Sequence, residues 1–300
     1  MLTRIGDFAQ QGRVTDLMLG AQARTRAMQI QISTGKVAHR FQDVAAEASQ
    51  LLRAKDVLQR VQQFQSNNSL VDQRLQVMES SLASLFEVGS RIKVLLIQRL
   101  DDGAGVPGTM APEADQLLKQ AVAELNVEFD GRHLFAGSKT QAPPVVLDPG
   151  FAAFGAPDDT FYQGDDVILS VLADEGREVS YGMTADREGF HELIGGLRAA
   201  LEGDLTDDRA MLENALVLVT EALPKVAEYR SLIGARQAAL EQINLGLGEM
   251  QLYLGHQISG IEDVDVAEAI TRLSQDQMVL EATMATVARL SQLSLADFLR

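Results

Sequence analysis

Apolar residues recurring at alternating steps of four and three constrain this chain most, because that spacing keeps side chains on one seam of a supercoiled helix. From Val57 the steps fall on Val61, Phe64, Asn68, Val71, Leu75, Met78, Leu82, Leu85, Gly89, Ile92 and Leu96, and only Asn68 and Gly89 are not large and apolar. A second series runs from Leu212 through Leu216, Val219, Leu223, Val226, Arg230, Ile233, Gln237, Leu240, Asn244, Leu247 and Gln251 to Leu254. A third passes from Val266 through Ile270, Leu273, Gln277, Leu280, Met284, Val287, Ser291 and Ser294 to Phe298. Each predicts a long amphipathic helix. The first two read as the internal core of a helical bundle, the ordinary role of such stripes. The third carries apolar residues to Leu299, widened by Leu290, Leu293 and Leu295, and needs a partner.

Between these seams the signals are local. Pro224 interrupts the second series; a proline lacks the N–H and clashes with the preceding turn, so a boundary or kink is expected near Leu223. The stretch from Leu2 to about Ser33 is a less regular helix, with Gly6, Gly12 and Gly20 inside it. Residues 101–108 (Asp-Asp-Gly-Ala-Gly-Val-Pro-Gly) read as a loop, followed by a helix from Pro112 to Phe129 and a turn at Asp130-Gly131. From Leu134 to Met183, Pro and Gly punctuate short runs, and Asp166 to Leu172 reads as a strand.

Composition narrows the chemistry. The formal charge of −16 opposes binding to phosphate backbones, so no nucleic acid is expected as a partner. The stretch from Val145 to Leu212 holds fifteen Asp or Glu against four Arg and no Lys, about −11 of the total, and reads as a distinct, solvated region. There is no cysteine, which excludes disulfides and thiolate sites. No apolar run approaches the roughly 18 residues of a membrane span, and the start lacks the pattern of a cleaved secretory signal.

No constellation points to catalysis. His39, His133, His191 and His256 are far apart and read as surface or turn residues, without metal-ligand spacing. Asp165-Asp166 and Glu262-Asp263-x-Asp265 read as solvated turn and helix-start acids, the second meeting the positive end of a helix dipole. Gly103-x-Gly105 and Gly246-x-Gly248 lack the remainder of a phosphate loop. No catalytic residue, metal or cofactor is expected.

Several segments carry a resemblance. Ile32-Ser33-Thr34-Gly35-Lys36 resembles the turn that ends the first terminal helix of the flagellins and their hook-associated relatives. Leu125 to Ser138, with Gly131, Arg132, Leu134, Phe135 and Gly137, resembles the helix and following G-R-x-L-F-A-G turn of that family. Tyr162-Gln163-Gly164-Asp165-Asp166, with Tyr181 to Asp186, is similar to the small β domain of hook-associated proteins and short flagellins. Ile258 to Asp265 resembles the I-S-x-I-E-D-x-D start of the family's terminal helix.

The resemblance implies a mainly α fold with a small β-rich insert, its N- and C-terminal halves forming a long antiparallel coiled-coil rod. It divides the chain into a terminal coiled-coil assembly domain (1–40 with 258–300), a helical rod domain (41–136 with 186–257) and an acidic β-rich outer domain (137–185). It implies a structural subunit of the extracellular flagellum, forming the hook–filament junction ring by self-association after type III export. The implied partners are further copies of the chain, a neighbouring hook-associated protein, flagellin and an export chaperone. The interface would bury Ile5, Phe8, Val266, Ile270, Leu273, Leu280, Met284, Val287, Leu290 and Phe298. A filament flagellin and a cytoplasmic helical scaffold or signalling protein stay open as alternatives.

Overall fold

The computed structural model of the chain describes residues 2–37, 47–101, 109–152, 154 and 156–298, with the helical backbone alone for 2–11 and 290–298. The fold is mainly α. Its helices are α1 (Leu2–Thr34), α2 (Ala48–Asp101), α3 (Ala111–Leu125), α4 (Glu188–Thr206), α5 (Arg209–Glu262) and α6 (Val266–Phe298). Two antiparallel two-stranded sheets accompany them among the described residues, β1 (Glu128–Phe129) with β2 (Arg132–His133) and β3 (Ser170–Asp174) with β4 (Arg177–Ser180). The chain divides into two compact units, Met1–Gln59 with Met250–Arg300, and Arg60–Glu249.

In the Arg60–Glu249 unit the two internal seams face the core. Val61, Val71, Leu75, Met78, Leu82, Leu85, Ile92 and Leu96 of α2 are buried, as are Leu212, Val219, Val226, Ile233, Leu240 and Leu247 of α5. The helices run antiparallel, since Glu79 of α2 pairs with Arg230 of α5 at 2.8 Å and Asn68 meets Asn244 at 2.9 Å. The polar and glycine breaks in the first seam have specific partners. Asn68, fully buried, donates to Asn244 Oδ1 and to the Ala173 carbonyl. At Gly89 a Cβ would come within 2.9 Å of Leu223 Cδ2 and 3.2 Å of Leu193 Cδ1, so its absence makes room for α4 and α5.

α4 is the most enclosed element, with Phe190, Leu193, Ile194, Leu197, Ala199 and Ala200 all buried. Gly189, Gly196 and Gly203, seven residues apart, form its contact with α5. A Cβ at Gly196 would lie 2.7 Å from Val219 Cγ2, and one at Gly203 would lie 3.0 Å from Leu212 Cδ2. The acidic stretch is therefore not uniformly solvated as its charge suggests. Asp158, Glu192 and Asp204 are buried, and each is paired with a cation: Arg198 for Asp158, Lys225 for Glu192, and Arg99 for Asp204 at 2.7 Å. Asp204 also accepts the Met110 and Ala111 N–H groups at 2.7 and 2.8 Å, so a carboxylate on α4 caps the N-terminus of α3.

Four local expectations are corrected. No helix boundary falls at Pro224: α5 runs through it, with the proline exposed and Val219, Ala222, Val226 and Tyr229 buried on either side. Packing of that face outweighs the one missing backbone bond. α3 ends at Leu125 instead of Phe129, because the Asn126 amide exchanges two 2.8 Å bonds with the backbone of Val145 and turns the chain aside. The strand expected over 166–172 begins only at Ser170, since the Asp165 carboxylate takes the Val167 N–H at 3.2 Å and holds that segment in a turn. His133 is buried, its Nδ1 2.8 Å from the Asn126 carbonyl. The loop residues 102–108 and His39 lie outside the described residues.

Asp130 and Gly131 both have positive φ, 53° and 68°, and form the two-residue tip of the β1–β2 hairpin. Beyond it, Leu134 and Phe135 are buried, Phe135 stacking edge-on against Phe190 with ring centroids 6.2 Å apart, while Arg132 is exposed. Gly137, at φ 67°, has no room for a side chain: a Cβ would lie 2.5 Å from the Asp165 carbonyl oxygen and nearer still to its carboxylate. That carboxylate accepts from the Ser138 hydroxyl and, at 2.7 Å, from the Ser138 N–H, which hold it below its ordinary range. Tyr162 donates to the Asp165 carbonyl at 2.6 Å, and burial, reinforced by the Asp165 charge, pushes its phenol up to about 12. Gly137→Ala should therefore lower stability by about 2 kcal/mol or more, the left-handed penalty plus the clash, read as a lowered urea midpoint.

Candidate assembly surface

The Met1–Gln59 and Met250–Arg300 unit is organised around a joint where α1 ends and α6 begins. Gly35, at φ 70°, closes α1 with its N–H bonded to the Gln31 carbonyl at 2.8 Å. The next residues pair with the segment between α5 and α6. Val37 N–H bonds to Glu262 O at 2.7 Å, Val264 N–H to Gly35 O at 2.9 Å, and Lys36 faces Asp263 in an antiparallel bridge. Lys36 Nζ lies 2.6 Å from Asp263 Oδ1 and 3.4 Å from Glu262 Oε2, while Lys55 Nζ holds the other Glu262 oxygen. Asp265 then caps α6 by accepting the Ala267 and Glu268 N–H groups at 2.9 and 3.1 Å. The two segments singled out in sequence at 32–36 and 258–265 thus meet. Of the acids there, only Asp265 serves the helix start; Glu262 and Asp263 serve the lysines.

Hydrogen bonding to Asp263 raises the Lys36 pKa, and the same bond lowers that of Asp263; Glu262 is lowered chiefly by its bond to Lys55. Depressed carboxylates stabilise above their ordinary pKa and lose that contribution as pH falls through the folded value; raised Lys36 contributes below 10.5 and loses it as pH climbs past its folded value. The ionic contribution to the joint is therefore full through neutrality and is lost in acid. Hydrogen-exchange protection of the Val37 and Val264 amides should fall below about pH 4. In Lys36→Met, protection should be lower at neutral pH and this acid step smaller.

Away from the joint, α1 and α6 pack on each other antiparallel, with Arg24 Nε 3.1 Å from Asp276 Oδ1. Two helices cannot bury stripes this wide. Ala21 alone is buried among the described side chains of α1, and Ala269 alone among those of α6. Leu17 is 66% exposed, and Leu19 and Ile30 are also exposed. On α6, Val266, Ile270 (52%) and Met284 (43%) are exposed, and Leu273, Leu280 and Val287 are half-buried. The surface is wider than the seam, for Met278 and Val279 are exposed off its line. An open groove of about 390 Å³ runs along α1 past Arg13, Asp16, Leu17, Gly20 and Arg24. Ile5, Phe8, Leu290 and Phe298 lie where only the helical backbone is described.

Among the described residues no His, Asp or Glu cluster is arranged to hold a metal, and no helix is long and apolar enough to cross a membrane. What the arrangement presents is exposed apolar side chains along α1 and α6.

Known proteins match both the sequence and this architecture. FlgL of Bacillus cereus superimposes with a TM-score of 0.58 at 20% identity, over 70% of this chain and 99% of that one. A putative flagellar hook-associated protein of Vibrio parahaemolyticus gives 0.60 at 16% identity, over 74% and 100%. Flagellar hook-associated protein 3 of Legionella pneumophila gives 0.60 at 14%, over 69% and 98%. In sequence, a flagellin of Bacillus subtilis is 24% identical over 236 residues, 73% of each chain. The bacterial flagellin N-terminal helical region matches residues 13–140 and the C-terminal helical region residues 216–299, together well over half of the chain. These two matches bracket the α1–α6 pairing and both internal seams, and on them the chain belongs to the flagellin family.

Proposed function

We propose that the chain is a structural subunit of the bacterial flagellum that forms the hook–filament junction by self-association of its terminal helices. The carrying observation is the contrast between seams of one spacing: those of Arg60–Glu249 are buried within the subunit, whereas that of α6 leaves Val266, Ile270 and Met284 in solvent. A periodic apolar face of which the chain leaves Val266, Ile270 and Met284 open is suited to neighbouring helices. The interface comprises Val266, Ile270, Leu273, Leu280, Met284 and Val287, continued by Leu290 and Phe298 and joined by Ile5 and Phe8. The residues around Gly131, Arg132, Leu134, Phe135 and Gly137 are architectural.

The junction, as against the filament, is favoured because solved structures sharing the fold include FlgL and hook-associated proteins, one of them described as a flagellar junction protein. The match to a Bacillus subtilis flagellin favours a second reading, a filament subunit. Under the first reading 1–40 with 258–300 is the assembly domain, 41–136 with 186–257 the helical rod and 137–185 the acidic outer domain. Its partners are further copies of itself, an upstream hook-associated protein and the first flagellin. The subunit reaches the extracellular flagellum through the flagellar exporter with a chaperone on its terminal helix, and has no enzymatic activity.

Labelling in isolated flagella tests this: a signal confined to the hook tip supports the junction, and one along the filament overturns it in favour of a flagellin. A chain lacking 289–300 should fold yet fail to incorporate, and normal incorporation would sink the assembly role of that helix.

A further inference from the structure

Around Tyr181 and Tyr229 the acidic character of the Arg60–Glu249 unit inverts. Arg74 of α2 donates to the Tyr181 hydroxyl at 2.9 Å and lies 5.8 Å from that ring's centroid. Arg236 of α5 donates to the Gly182 and Tyr181 carbonyls at 3.0 and 3.4 Å. Arg187, immediately before α4, lies 5.1 Å from the centroid of Tyr229, which is two turns before Arg236 on the same face of α5. Three elements thus gather three half-buried guanidiniums. None forms an ion pair with a carboxylate among the described residues, whereas Arg99, Arg198 and Arg230 of the same unit each do. The Arg74 Nε is buried without a hydrogen-bond partner. Burial, then the charge of Arg187, hold the Arg236 guanidinium below its ordinary range.

Crowding like charges away from water is unfavourable unless an anion compensates them. The stretch from Val145 to Leu212 has fifteen carboxylates, and among the described residues none of them forms an ion pair with Arg74, Arg187 or Arg236. We propose that Arg74, Arg187 and Arg236 form a receptor for carboxylate side chains of a second copy of this chain. A guanidinium fork matches a carboxylate in two parallel hydrogen bonds, which an arginine cluster set against tyrosine rings presents ready-made. The occupant follows from charge complementarity: the chain carries −16 overall and exposes acids of this unit such as Asp159 and Asp166, so one copy's acidic surface complements another's arginines. The inference rests on the self-association reading but engages residues of the Arg60–Glu249 unit and none of α1 or α6.

Sedimentation velocity of the full chain across a concentration series, at low and high salt, provides the test. Arg74→Gln with Arg236→Gln should weaken association at least tenfold and flatten its salt dependence. Lys at both positions should fall between wild type and Gln, and Arg236→Glu should be weaker than Arg236→Gln; melting curves establish that each variant is folded. A wild-type chain that stays monomeric overturns self-association itself and this receptor with it. A wild type that associates, matched by a folded Gln variant, overturns the receptor alone. If the Gln variant does not fold, an Arg236→Lys chain that folds and associates as tightly as wild type overturns it equally.

Discussion

Replacing Ile270 and Met284 together by Asp should abolish incorporation into flagella while leaving the melting temperature of the free chain within about 2 °C of wild type. Both side chains are exposed on α6, so the subunit gains little from them and loses little without them. In an assembly each would bury the apolar area that the free chain leaves open, 52% for Ile270 and 43% for Met284, worth about 0.7–1.5 kcal/mol per side chain. A carboxylate in that position adds the cost of desolvating a charge. Loss of the two burials alone comes to about 1.5–3 kcal/mol at every contact, one to two decades in affinity. Fluorescence or antibody detection of the variant in purified flagella, beside a melting curve of the free chain, checks both halves. The opposite pattern belongs to Leu82, fully buried on α2: Leu82→Ala should cost about 2–5 kcal/mol of stability and act on incorporation only through folding.

Asp204→Ala should be the most destabilising single substitution of a charged residue in the Arg60–Glu249 unit. Its carboxylate is fully buried and has three partners: Arg99 and the N–H groups of Met110 and Ala111. Removing it leaves the 11%-exposed Arg99 guanidinium with only the exposed Asp207 and leaves two donors of α3 unmet, and breaking a buried pair costs about 3–5 kcal/mol. Asp207 pairs with the same Arg99 at 2.6 Å but is 62% exposed, so Asp207→Ala should cost about 1 kcal/mol or less. Urea unfolding of both variants separates a buried cap from a surface ion pair, and equal losses would overturn this assignment.

How much of this was legible in the sequence depended on whether a residue's role was set by its own helix or by a distant one. The seams on α2 and α5 were readable because an apolar side chain every half-heptad leaves one solution, and even the breaks at Asn68 and Gly89 kept the register. Pro224 misled because the local rule sees a lost donor and not the buried Val219, Ala222, Val226 and Tyr229 that keep α5 continuous. α4 escaped the heptad test altogether, since its contact with α5 is a row of glycines and apolar residues fill its remaining faces. Charge counting failed in the same region: Asp158, Glu192 and Asp204 count as solvated acids until their cations, 33 to 105 residues away in sequence, are placed beside them. On the candidate surface, the α6 seam was visible but its exposure was not, because periodicity marks an apolar face without saying what covers it. The exposed Met278 and Val279, off the seam, carried no periodic signal.

The joint at Lys36 and Asp263 makes the unit holding α1 and α6 a product of the two extremes of the described chain, its bonded side chains 227 positions apart in sequence. Under the export route proposed above, whichever end leads through the narrow channel, one of these helices emerges long before the other. The early helix then has no internal cover for its apolar side chains until the late one arrives. A subunit built this way gains its sticky surface at the end of delivery, so its readiness to join neighbours is timed by passage of the chain itself.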